Sequence, residues 1–330
     1  MAVKRVGLVG CGTMGGFHAG CYQQIPDCEL AGIYDVAEDK RNKFANELKV
    51  RSFSSYDEML QDEGIDIIDI CLPTPLHKEY VLKAAERKKN IFCEKPIARN
   101  LEDGKAMVES CKNAKVKFMV GHVLRYFYEY AKAKEVIDSG SLGKVGIVRT
   151  TRGGAFPHAS NEWYADFRMS GGLVLDMIVH DFDFLRWCFG DVQRVYAKGM
   201  INKGYKFIDY ALVTLRFKSG VIAHVEGTWA HPGGFRTRLE VAGSKGLLNF
   251  DSKDSLPINI EVKGTGGGGG VAVPESPLKE SPYLLELRHF VNCVLNNKEP
   301  DITGKDALKA LEISLAALKS IETGKPVVLN

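Results

Sequence analysis

The chain has 330 residues, of which 45% are hydrophobic and 26% are charged, and its formal net charge is +3. At roughly 150 residues per domain, this length predicts about two globular domains. The nearly balanced charge excludes the concentrated basic surface of a nucleic-acid-binding or membrane-surface protein. The sequence contains no run of about 18 apolar residues that could span a bilayer. Residues 1–5 lead into an apolar strand pattern rather than a signal peptide, and the eight cysteines form no C-x-x-C pair. We therefore expect reduced thiols and a cytoplasmic protein without nucleic-acid or membrane partners.

The first third of the chain alternates short apolar strands with helices. Strands are predicted at 6–9, 30–34, 65–72, 90–93 and 117–120, and helices at 14–24, 37–48, 77–87 and 101–114. Ser55 and Glu58 have the spacing of a capping box, which predicts a further short helix. Strands that alternate with helices of this length predict βαβ units and an α/β Rossmann domain with a doubly wound parallel sheet over residues 1–120.

The pattern changes after residue 120. A helix is predicted at 130–139, an edge-like strand at 145–151, an irregular segment at 152–170 and one long helix at 172–187. Closely spaced strands follow at 194–199, 209–217, 221–228, 236–242 and 246–250. Short turns between neighbouring strands predict an α+β domain over 121–330 with a large, mainly antiparallel open sheet. The glycine-rich stretch 263–270 predicts a surface loop, and we expect the last two helices, 282–296 and 305–323, to pack back toward the first domain.

A glycine loop follows the first strand and opens the first helix. Gly10, Gly12 and Gly15 have the spacing G-x-G-x-x-G. In such a loop the first glycine permits a tight turn, the second lets the backbone approach a pyrophosphate, and the third allows close packing. Thr13 and Met14 fall in the first helical turn, whose free N–H groups and partial positive charge suit phosphate oxygens. The loop therefore predicts a dinucleotide site.

Asp35 ends the next strand, twenty residues after Gly15. Its carboxylate would accept hydrogen bonds from the adenosine ribose hydroxyls and would repel a 2′-phosphate. Val36 supplies no compensating cation, and Arg41 and Lys43 are expected on a solvated helix face. NAD is therefore the predicted cofactor, with NADP disfavoured.

Glu94-Lys95-Pro96 follows the strand at 90–93. Ligands of parallel α/β sheets bind beyond the carboxyl ends of the strands. Pro96 restricts Lys95 to an extended backbone, which fixes where the ammonium points. This position favours a role for Lys95 at the ligand over that of an ordinary surface lysine.

Asp176 and His180 lie four residues apart in the predicted helix 172–187 and would share one largely apolar face. Burying them there is costly unless they have partners or act on a ligand. Acid–base or substrate-binding work is favoured over structural hydrogen bonding. A metal site is disfavoured, because Asp181 and Asp183 would point to other faces and no further His or Cys has ligand spacing.

The glycine loop with Asp35, the Glu-Lys-Pro segment and the G-G-x-x-x-D-x-x-x-H helix together resemble the Gfo/Idh/MocA oxidoreductase family, over essentially the whole chain. Within that family the chain is most similar to inositol 2-dehydrogenase-like and related sugar dehydrogenases. The resemblance implies that Lys95, Asp176 and His180 surround the substrate hydroxyl and the carbon that faces the nicotinamide. It also implies cofactor contacts from the turn after the third main strand and from the Glu-Lys-Pro segment, through Pro73, Thr74, His77, Glu94 and Lys95.

Arg125 matches an arginine that lies near the substrate pocket in this family. Many inositol dehydrogenases have two adjacent arginines there, whereas position 124 is Leu in this chain. That departure leaves the particular sugar or cyclitol open. The family also implies a homodimer or homotetramer that forms through the sheet of the second domain.

These observations predict a reversible NAD-dependent oxidation of a secondary hydroxyl on a cyclic polyol or sugar. His180 or Lys95 would take the hydroxyl proton. His158 and Trp163 are candidate substrate contacts, as are Tyr164, Arg168 and His231, although domain packing or an exposed loop position also explains each of them. Two alternatives stay open. One is a phosphorylated or nucleotide-linked sugar bound by Arg125, Arg152 and Arg168, and the other is a non-catalytic NAD-responsive regulator.

Overall fold

The computed structural model describes residues 3–158, 160–200, 210–231, 234–253 and 280–329. The chain forms two compact units, one of residues 1–126 with 276–308 and the other of residues 127–275 with 309–330. Among the described residues, no helix combines the length and the apolar character needed to cross a membrane.

The first unit contains a six-stranded parallel sheet. Its strands are β1 (Lys4–Val9), β2 (Cys28–Tyr34), β3 (Arg51–Ser52), β4 (Ile67–Ile70), β5 (Asn90–Glu94) and β6 (Phe118–Gly121). Its helices are α1 (Thr13–Tyr22), α2 (Glu38–Leu48), α3 (Tyr56–Gln61), α4 (His77–Glu86), α5 (Leu101–Ala114) and, from the end of the chain, α10 (Pro282–Leu295). The strand order β3-β2-β1-β4-β5-β6 is that of a doubly wound dinucleotide-binding fold, which confirms the predicted fold class.

Burial explains why these short segments form strands. Every residue of β4 is buried, and so are the last four residues of β1. Parallel strands covered by helices on both faces are continuous apolar runs of this kind. Asp69 is the exception, because it is a carboxylate with 0% exposure in the middle of β4.

The second unit contains a seven-stranded mixed sheet. Its strands are β7 (Val145–Gly153), β8 (Val192–Met200), β9 (Tyr210–Phe217), β10 (Ile222–Thr228), β11 (Arg236–Gly243), β12 (Gly246–Asp251) and β13 (Val327–Val328). Helices α6 (Tyr128–Asp138), α7 (Phe167–Ser170), α8 (Gly172–Asp176) and α9 (Val179–Phe189) precede β8, and α11 (Gly304–Thr323) precedes β13. The order is β12-β11-β7-β10-β9-β8-β13, in which β7 and β10 are parallel and the other described pairs are antiparallel. The predicted large, mainly antiparallel sheet is confirmed.

Two details predicted for the second unit are wrong. The strand at 145–151 is not at an edge, because β7 lies between β11 and β10. The single helix predicted at 172–187 is two helices, α8 and α9, which are separated at Met177 and Ile178. Ile178 has φ −84° and ψ 0°, and a Cβ added to Gly227 of β10 would lie 2.5 Å from its Cγ2. The break therefore places Ile178 directly against the sheet.

Three further observations concern two short strands, the glycine-rich stretch and the helix α10. The short strands β3 and β13 were not predicted. The surface loop predicted at 263–270 lies outside the described residues. Helix α10 belongs to the first unit, where it packs on α1.

Candidate active site

The glycine loop connects β1 to α1, and each of its three glycines has a different environment. Gly10 has φ +98°, and a Cβ there would lie 2.3 Å from the Cys71 carbonyl oxygen. A Cβ on Gly15 would lie 1.9 Å from the Gly10 carbonyl oxygen, whereas a Cβ on Gly12 would meet nothing within 4 Å. The first and third positions therefore require glycine for packing, and the second leaves space above the backbone.

Gly12 is also the N-cap of α1 and provides no side-chain cap for the first helical turn. The N–H groups that begin a helix lack acceptors within it, and together they favour an anion. Thr13 and Met14 are the first two residues of this turn. Open space above Gly12 next to uncapped N–H groups fits the pyrophosphate of a dinucleotide.

Asp35 follows β2 and lies beside this loop. Its Oδ2 accepts a hydrogen bond of 2.8 Å from the Cys11 N–H, and its Oδ1 accepts one of 2.9 Å from the Ala37 N–H. Lys43 is 79% exposed, as predicted for a solvated helix face. The same prediction is wrong for Arg41, which is 7% exposed and donates from Nη1 to the Asp35 carbonyl oxygen at 2.9 Å. Arg41 stabilises the backbone that carries the carboxylate.

The turn after β4 has Pro73 as the N-cap of a 3₁₀ turn that begins at the buried Thr74. His77 follows as the first residue of α4, with 0% exposure. Its Nε2 lies 2.8 Å from the Leu72 carbonyl oxygen and its Nδ1 lies 3.0 Å from the Pro96 carbonyl oxygen. Burial lowers the pKa of His77, and the contacts with the two carbonyl oxygens oppose that shift. The ring connects the turns that follow β4 and β5.

Glu94 is the last residue of β5 and Lys95 follows it, joined to Pro96 by a cis peptide bond. The Glu94 carboxylate is buried, and its Oε2 accepts a hydrogen bond of 3.1 Å from the Lys95 backbone N–H. The Lys95 side chain is half-buried. Lys95 therefore extends from the carboxyl end of a central strand, on a backbone held by the preceding carboxylate.

A buried polar cluster lies under this end of the sheet and was not predicted. His18 of α1 has 0% exposure, and its Nδ1 lies 2.8 Å from Asp69 Oδ2. Its Nε2 lies 3.2 Å from Glu94 Oε1, and Cys71 Sγ lies 3.2 Å from its Nδ1. A sequence signal for this cluster did exist, because a carboxylate within the apolar run Ile67–Ile70 requires a buried partner.

The pKa values in this cluster shift with the charges around each group. Burial by itself lowers the pKa of His18, but the charge of Asp69 and the hydrogen bonds with Asp69 and Cys71 outweigh burial and raise it well above the usual value. Burial raises the pKa of the Cys71 thiol, so this group is neutral and adds no charge of its own. Burial raises the pKa of Glu94, but the contact with His18 and the charge of Lys95 lower it overall. His18 is therefore an imidazolium and Glu94 a carboxylate at neutral pH.

The ligand atoms of His18, Asp69 and Cys71 lie within 4.8 Å of one another, a grouping that could in principle bind a metal ion. The Nδ1–Oδ2 separation of 2.8 Å is that of a direct hydrogen bond. It is shorter than the separation of about 3.3 Å between two ligands that each lie about 2.0 Å from a tetrahedral zinc ion. We therefore interpret the group as a hydrogen-bonded cluster.

In the second unit, Asp176 is the last residue of α8 and is 9% exposed. His180 is the second residue of α9 and is half-buried. Because the two helices are separate, the spacing of four residues does not place both side chains on one continuous helical face. Asp183, also in α9, has 0% exposure.

A buried ion pair holds α9 to the sheet at the residue next to His180. Arg152 of β7 donates from Nε to Asp181 Oδ2 at 2.6 Å and from Nη2 to Asp181 Oδ1 at 3.3 Å. The two side chains are 3% and 1% exposed. Burial lowers the pKa of Arg152, but the adjacent carboxylate outweighs burial and raises it. This two-point contact fixes the first turn of α9, which carries His180.

The other predicted substrate residues lie in two different units. In the first unit, Arg125 is 7% exposed, donates from Nη1 to the Asp301 carbonyl oxygen at 3.2 Å, and has its Nη2 3.8 Å from Asp306 Oδ1. In the second unit, the exposed His158 lies 3.3 Å from Glu162, and Trp163 stacks on Tyr164 at a centroid distance of 4.0 Å.

Two more candidates from the second unit have partners within it. Arg168 is 90% exposed and pairs with Asp166 at 2.9 Å. His231 is half-buried, and a Cβ added to Gly153 would lie 3.2 Å from its ring.

Comparisons with known proteins cover nearly the whole chain. Residues 4–122 match the family described as "Oxidoreductase family, NAD-binding Rossmann fold", and residues 130–249 match the GFO/IDH/MocA C-terminal domain. Myo-inositol 2-dehydrogenase of Thermotoga maritima is 32% identical over 99% of this chain and 98% of its own length. The scyllo-inositol 2-dehydrogenase (NAD(+)) of Bacillus subtilis is 33% identical over 99% of this chain and 96% of its own length.

A solved structure supports the same comparison. The scyllo-inositol dehydrogenase of Lactobacillus casei, crystallised with NAD(H) and scyllo-inositol, has a TM-score of 0.83 and 25% identity. The match covers 99% of each chain.

Proposed function

Because the chain belongs to the Gfo/Idh/MocA oxidoreductase family, we propose that it is an NAD-dependent dehydrogenase of cyclic polyols or sugars. It would oxidise a secondary hydroxyl to a ketone, reversibly. The observation that carries the proposal is the full-length similarity to myo-inositol and scyllo-inositol 2-dehydrogenases.

The first unit fits NAD at its glycine loop. The N–H groups of Thr13 and Met14 would bind the pyrophosphate above Gly12, and the Asp35 carboxylate would accept from the ribose hydroxyls. Arg41 is held by the Asp35 carbonyl oxygen and by Ser52, an arrangement that supports NAD over NADP. When bound, NAD supplies the acceptor for the hydride at nicotinamide C4.

The turns after β4 and β5 would border the same cofactor. Pro73 and Thr74 would line it from the first turn, and Glu94 and Lys95 would do so from the second. His77 would act by connecting the two turns, because both of its ring nitrogens face carbonyl oxygens of the chain.

Three residues would carry the chemistry at the substrate hydroxyl. His180, as an imidazole beside the proposed substrate position, could take the hydroxyl proton. The Lys95 ammonium would donate to the same oxygen and stabilise the negative charge that develops on it. Asp176 would accept from a neighbouring hydroxyl. The choice between Lys95 and His180 as proton acceptor is open in this proposal.

Substrate selection would involve Arg125, His158 and Trp163. An indole face and polar donors suit a sugar ring, which has apolar C–H faces and hydroxyls at its rim. Arg125 already donates to the Asp301 carbonyl oxygen, so we propose that it shapes the pocket from a fixed position.

We propose that residues 1–120 bind NAD and that residues 121–330 bind the substrate and form the oligomer. The outer face of the second sheet exposes Ile147, Tyr196 and Leu212, from three of its strands. Exposed apolar side chains grouped on one surface mark an interaction site. We propose that this face pairs with a second copy to form a homodimer or homotetramer.

We also propose a cytoplasmic location, on the basis of the cysteines. All eight cysteines are free of disulfides, and five of them are buried. Free, packed thiols are typical of a reducing compartment.

The test is a cofactor-reduction screen on myo-inositol, scyllo-inositol, free hexoses and UDP-sugars, with NAD and NADP in parallel. We expect NAD reduction with a free cyclitol or hexose, and little NADP reduction. Turnover of UDP-sugars alone would overturn the proposed substrate class. Tight NAD binding with no turnover of any substrate would favour the regulator instead.

Catalytic assignments are tested by His180→Ala and Lys95→Ala. Each should lower kcat at least about 100-fold, because positioned proton transfer contributes about 10²–10⁴-fold. Lys43→Ala in α2, at a side chain that is 79% exposed, serves as the matched control and should retain wild-type turnover. Near-native kcat in either active-site variant would remove that residue from the mechanism.

The phosphorylated or nucleotide-linked sugar is less well supported. Of the three arginines that could bind its phosphates, Arg152 is paired with Asp181 and Arg168 with Asp166. Arg125 has Asp306 at 3.8 Å. Each cation already has a carboxylate nearby within its own unit.

A further inference from the structure

A buried histidine in the first unit lies between two carboxylates and has no part in the proposed chemistry. His18 Nδ1 is 2.8 Å from Asp69 Oδ2, and its Nε2 is 3.2 Å from Glu94 Oε1. Nδ1 is hydrogen-bonded to Asp69, whereas Nε2 makes an ion-pair contact with Glu94 but no hydrogen bond among the described residues. Two carboxylates, one on each side, favour a ring in which both nitrogens carry protons. The ring is therefore a buried imidazolium whose charge is compensated on both sides.

This imidazolium connects three elements of the first unit. His18 lies on α1, the helix that the glycine loop opens, while Asp69 comes from β4 and Glu94 ends β5. The second oxygen of Glu94 accepts the Lys95 N–H at 3.1 Å. A continuous path of polar contacts thus runs from Asp69 through His18 and Glu94 to the backbone of Lys95.

We propose that His18 is a positioning residue for Lys95. Through its ion-pair contact with one oxygen of Glu94, the imidazolium favours the orientation in which the other oxygen accepts from the Lys95 N–H, and so fixes the backbone from which the ammonium extends. This inference rests on the proposed function, in which Lys95 contacts the reacting hydroxyl.

The surroundings of His18 keep its ring in one orientation. Phe92 packs edge-on at a centroid distance of 5.5 Å, and Tyr283 of α10 lies at 6.5 Å. Without the imidazolium, Glu94 would be a buried carboxylate balanced only by the charge of Lys95. It would then take up a proton or rotate away, and either change weakens its bond to the Lys95 N–H.

The first measurement is independent of substrate. Hydrogen exchange of the Lys95 amide is followed by mass spectrometry with electron-transfer fragmentation of the peptide that contains it, in His18→Gln, Glu94→Gln and the double variant. Loss of a hydrogen bond worth about 1 kcal/mol or more should accelerate this exchange about fivefold or more. Tyr22→Phe is the matched control, because Tyr22 is equally buried and borders Asp69. It should leave the Lys95 amide unchanged.

The second measurement is steady-state kinetics with NAD and the best polyol from the screen. Both single variants should lower kcat about 10- to 100-fold, since a misplaced catalytic group costs up to about 100-fold. In His18→Gln, KM for NAD should stay within about threefold, because the glycine loop is intact and His18 is not among the proposed cofactor contacts. If His18 acts through Glu94, the double variant should be no slower than the slower single variant.

The outcomes separate this inference from the proposed function. Unchanged amide exchange and kcat in His18→Gln would overturn it, and so would losses that multiply in the double variant. If His18→Gln does not fold, Asp69→Asn weakens the same imidazolium from its other side and is read by the same two measurements. If the wild type oxidises no polyol but exchange still accelerates in both single variants, the positioning of Lys95 stands and the proposed function fails.

Discussion

The protonation of His18 depends on groups that reach it from several elements. Asp69 and Cys71 face it from β4 and its end, and Glu94 faces it from β5. The neighbouring titratable groups on α1 and α10 are Cys21, Tyr22 and Tyr283. The folded-state pKa of His18 is raised well above the value of about 6.5 in an unfolded chain. Its contribution to stability is therefore complete below that value and is lost as the pH rises through the folded-state pKa.

The upward shift of the His18 pKa predicts how the free energy of unfolding changes with pH. As the pH rises above about 6.5, the free energy of unfolding of the wild type should fall relative to that of His18→Gln, with a slope of at most about 1.4 kcal/mol per pH unit. Urea unfolding at several pH values, followed by far-UV circular dichroism, measures the difference between the two proteins. Parallel pH profiles would show that His18 does not retain its proton in the folded state.

Two glycines of the loop make a matched pair of substitutions. Gly12→Ala should keep the wild-type thermal stability but weaken NAD binding about tenfold or more, because its Cβ enters only the space proposed for the pyrophosphate. Gly15→Ala should lower the free energy of unfolding by about 1–3 kcal/mol, because its Cβ would overlap the Gly10 carbonyl oxygen. Thermal unfolding and NAD titration by calorimetry measure both effects. Equal loss of stability in the two variants would contradict this division of roles.

At the scale of elements, the sequence predicted the bounds of those helices and strands that depend on residues close to one another in the chain. Helix α5 begins and ends where its periodicity predicted, and its N-cap Asn100 accepts from the Asp103 N–H. The break between α8 and α9 could not be predicted, because it depends on Ile178 meeting Gly227 of a strand about fifty residues later. The interior position of β7 depends likewise on β10 and β11, which follow it in the chain.

The features of the candidate site also divide into those that the sequence predicted and those that it could not predict. The glycine loop and Asp35 were predictable, because their roles depend on a turn, a helix start and a strand end that adjoin in sequence. The pairing of His18 with Asp69 and Glu94 was not predictable, because these two residues follow His18 in the chain by 51 and 76 positions. Nor was the buried pairing of Arg152 with Asp181, which turns a possible phosphate ligand into a fixed structural partner.

That pair should matter strongly for α9. Asp181→Asn leaves Arg152 buried without its counter-ion and should cost about 3–5 kcal/mol in the free energy of unfolding of the second unit. It should also lower kcat, because His180 precedes the altered residue. The matched control is Arg149→Ala on the exposed face of the same strand, where the pair with Glu240 contributes about 0–1 kcal/mol. Urea unfolding and kcat measure both, and similar costs for the two variants would contradict the assignment.

At the scale of the whole molecule, the second sheet has two unlike faces. Val148, Val213 and Val225 point inward with 0% exposure, whereas Ile147 and Leu212 are 38% and 41% exposed on the other side. Alternation of this kind produces one core face and one face available to a partner.

If that outer face joins copies of the chain, a charge at its centre should separate them. Leu212→Glu should reduce the mass measured by light scattering after size exclusion from that of the oligomer to that of the monomer, because an unpaired carboxylate is costly in an apolar interface. Leu76→Glu is the matched control, since Leu76 is 39% exposed in the first unit. An unchanged mass for Leu212→Glu would exclude this face from the interface.

The order in which the elements appear has a consequence for biosynthesis. The first unit is assembled from residues 1–126 and 276–308, and α10 supplies Phe290 against Phe92 at 5.8 Å and Tyr283 against Phe17 at 5.8 Å. At about 5–20 residues per second, a ribosome needs roughly eight to thirty seconds to reach α10 after β6 is complete. During that interval the nascent nucleotide-binding unit exposes the apolar surface that α10 will cover, including the side of His18 next to Tyr283. The first unit therefore begins to form before the second but is completed only near the end of synthesis. A chain truncated before α10 would keep this apolar surface exposed and would need chaperones to protect it.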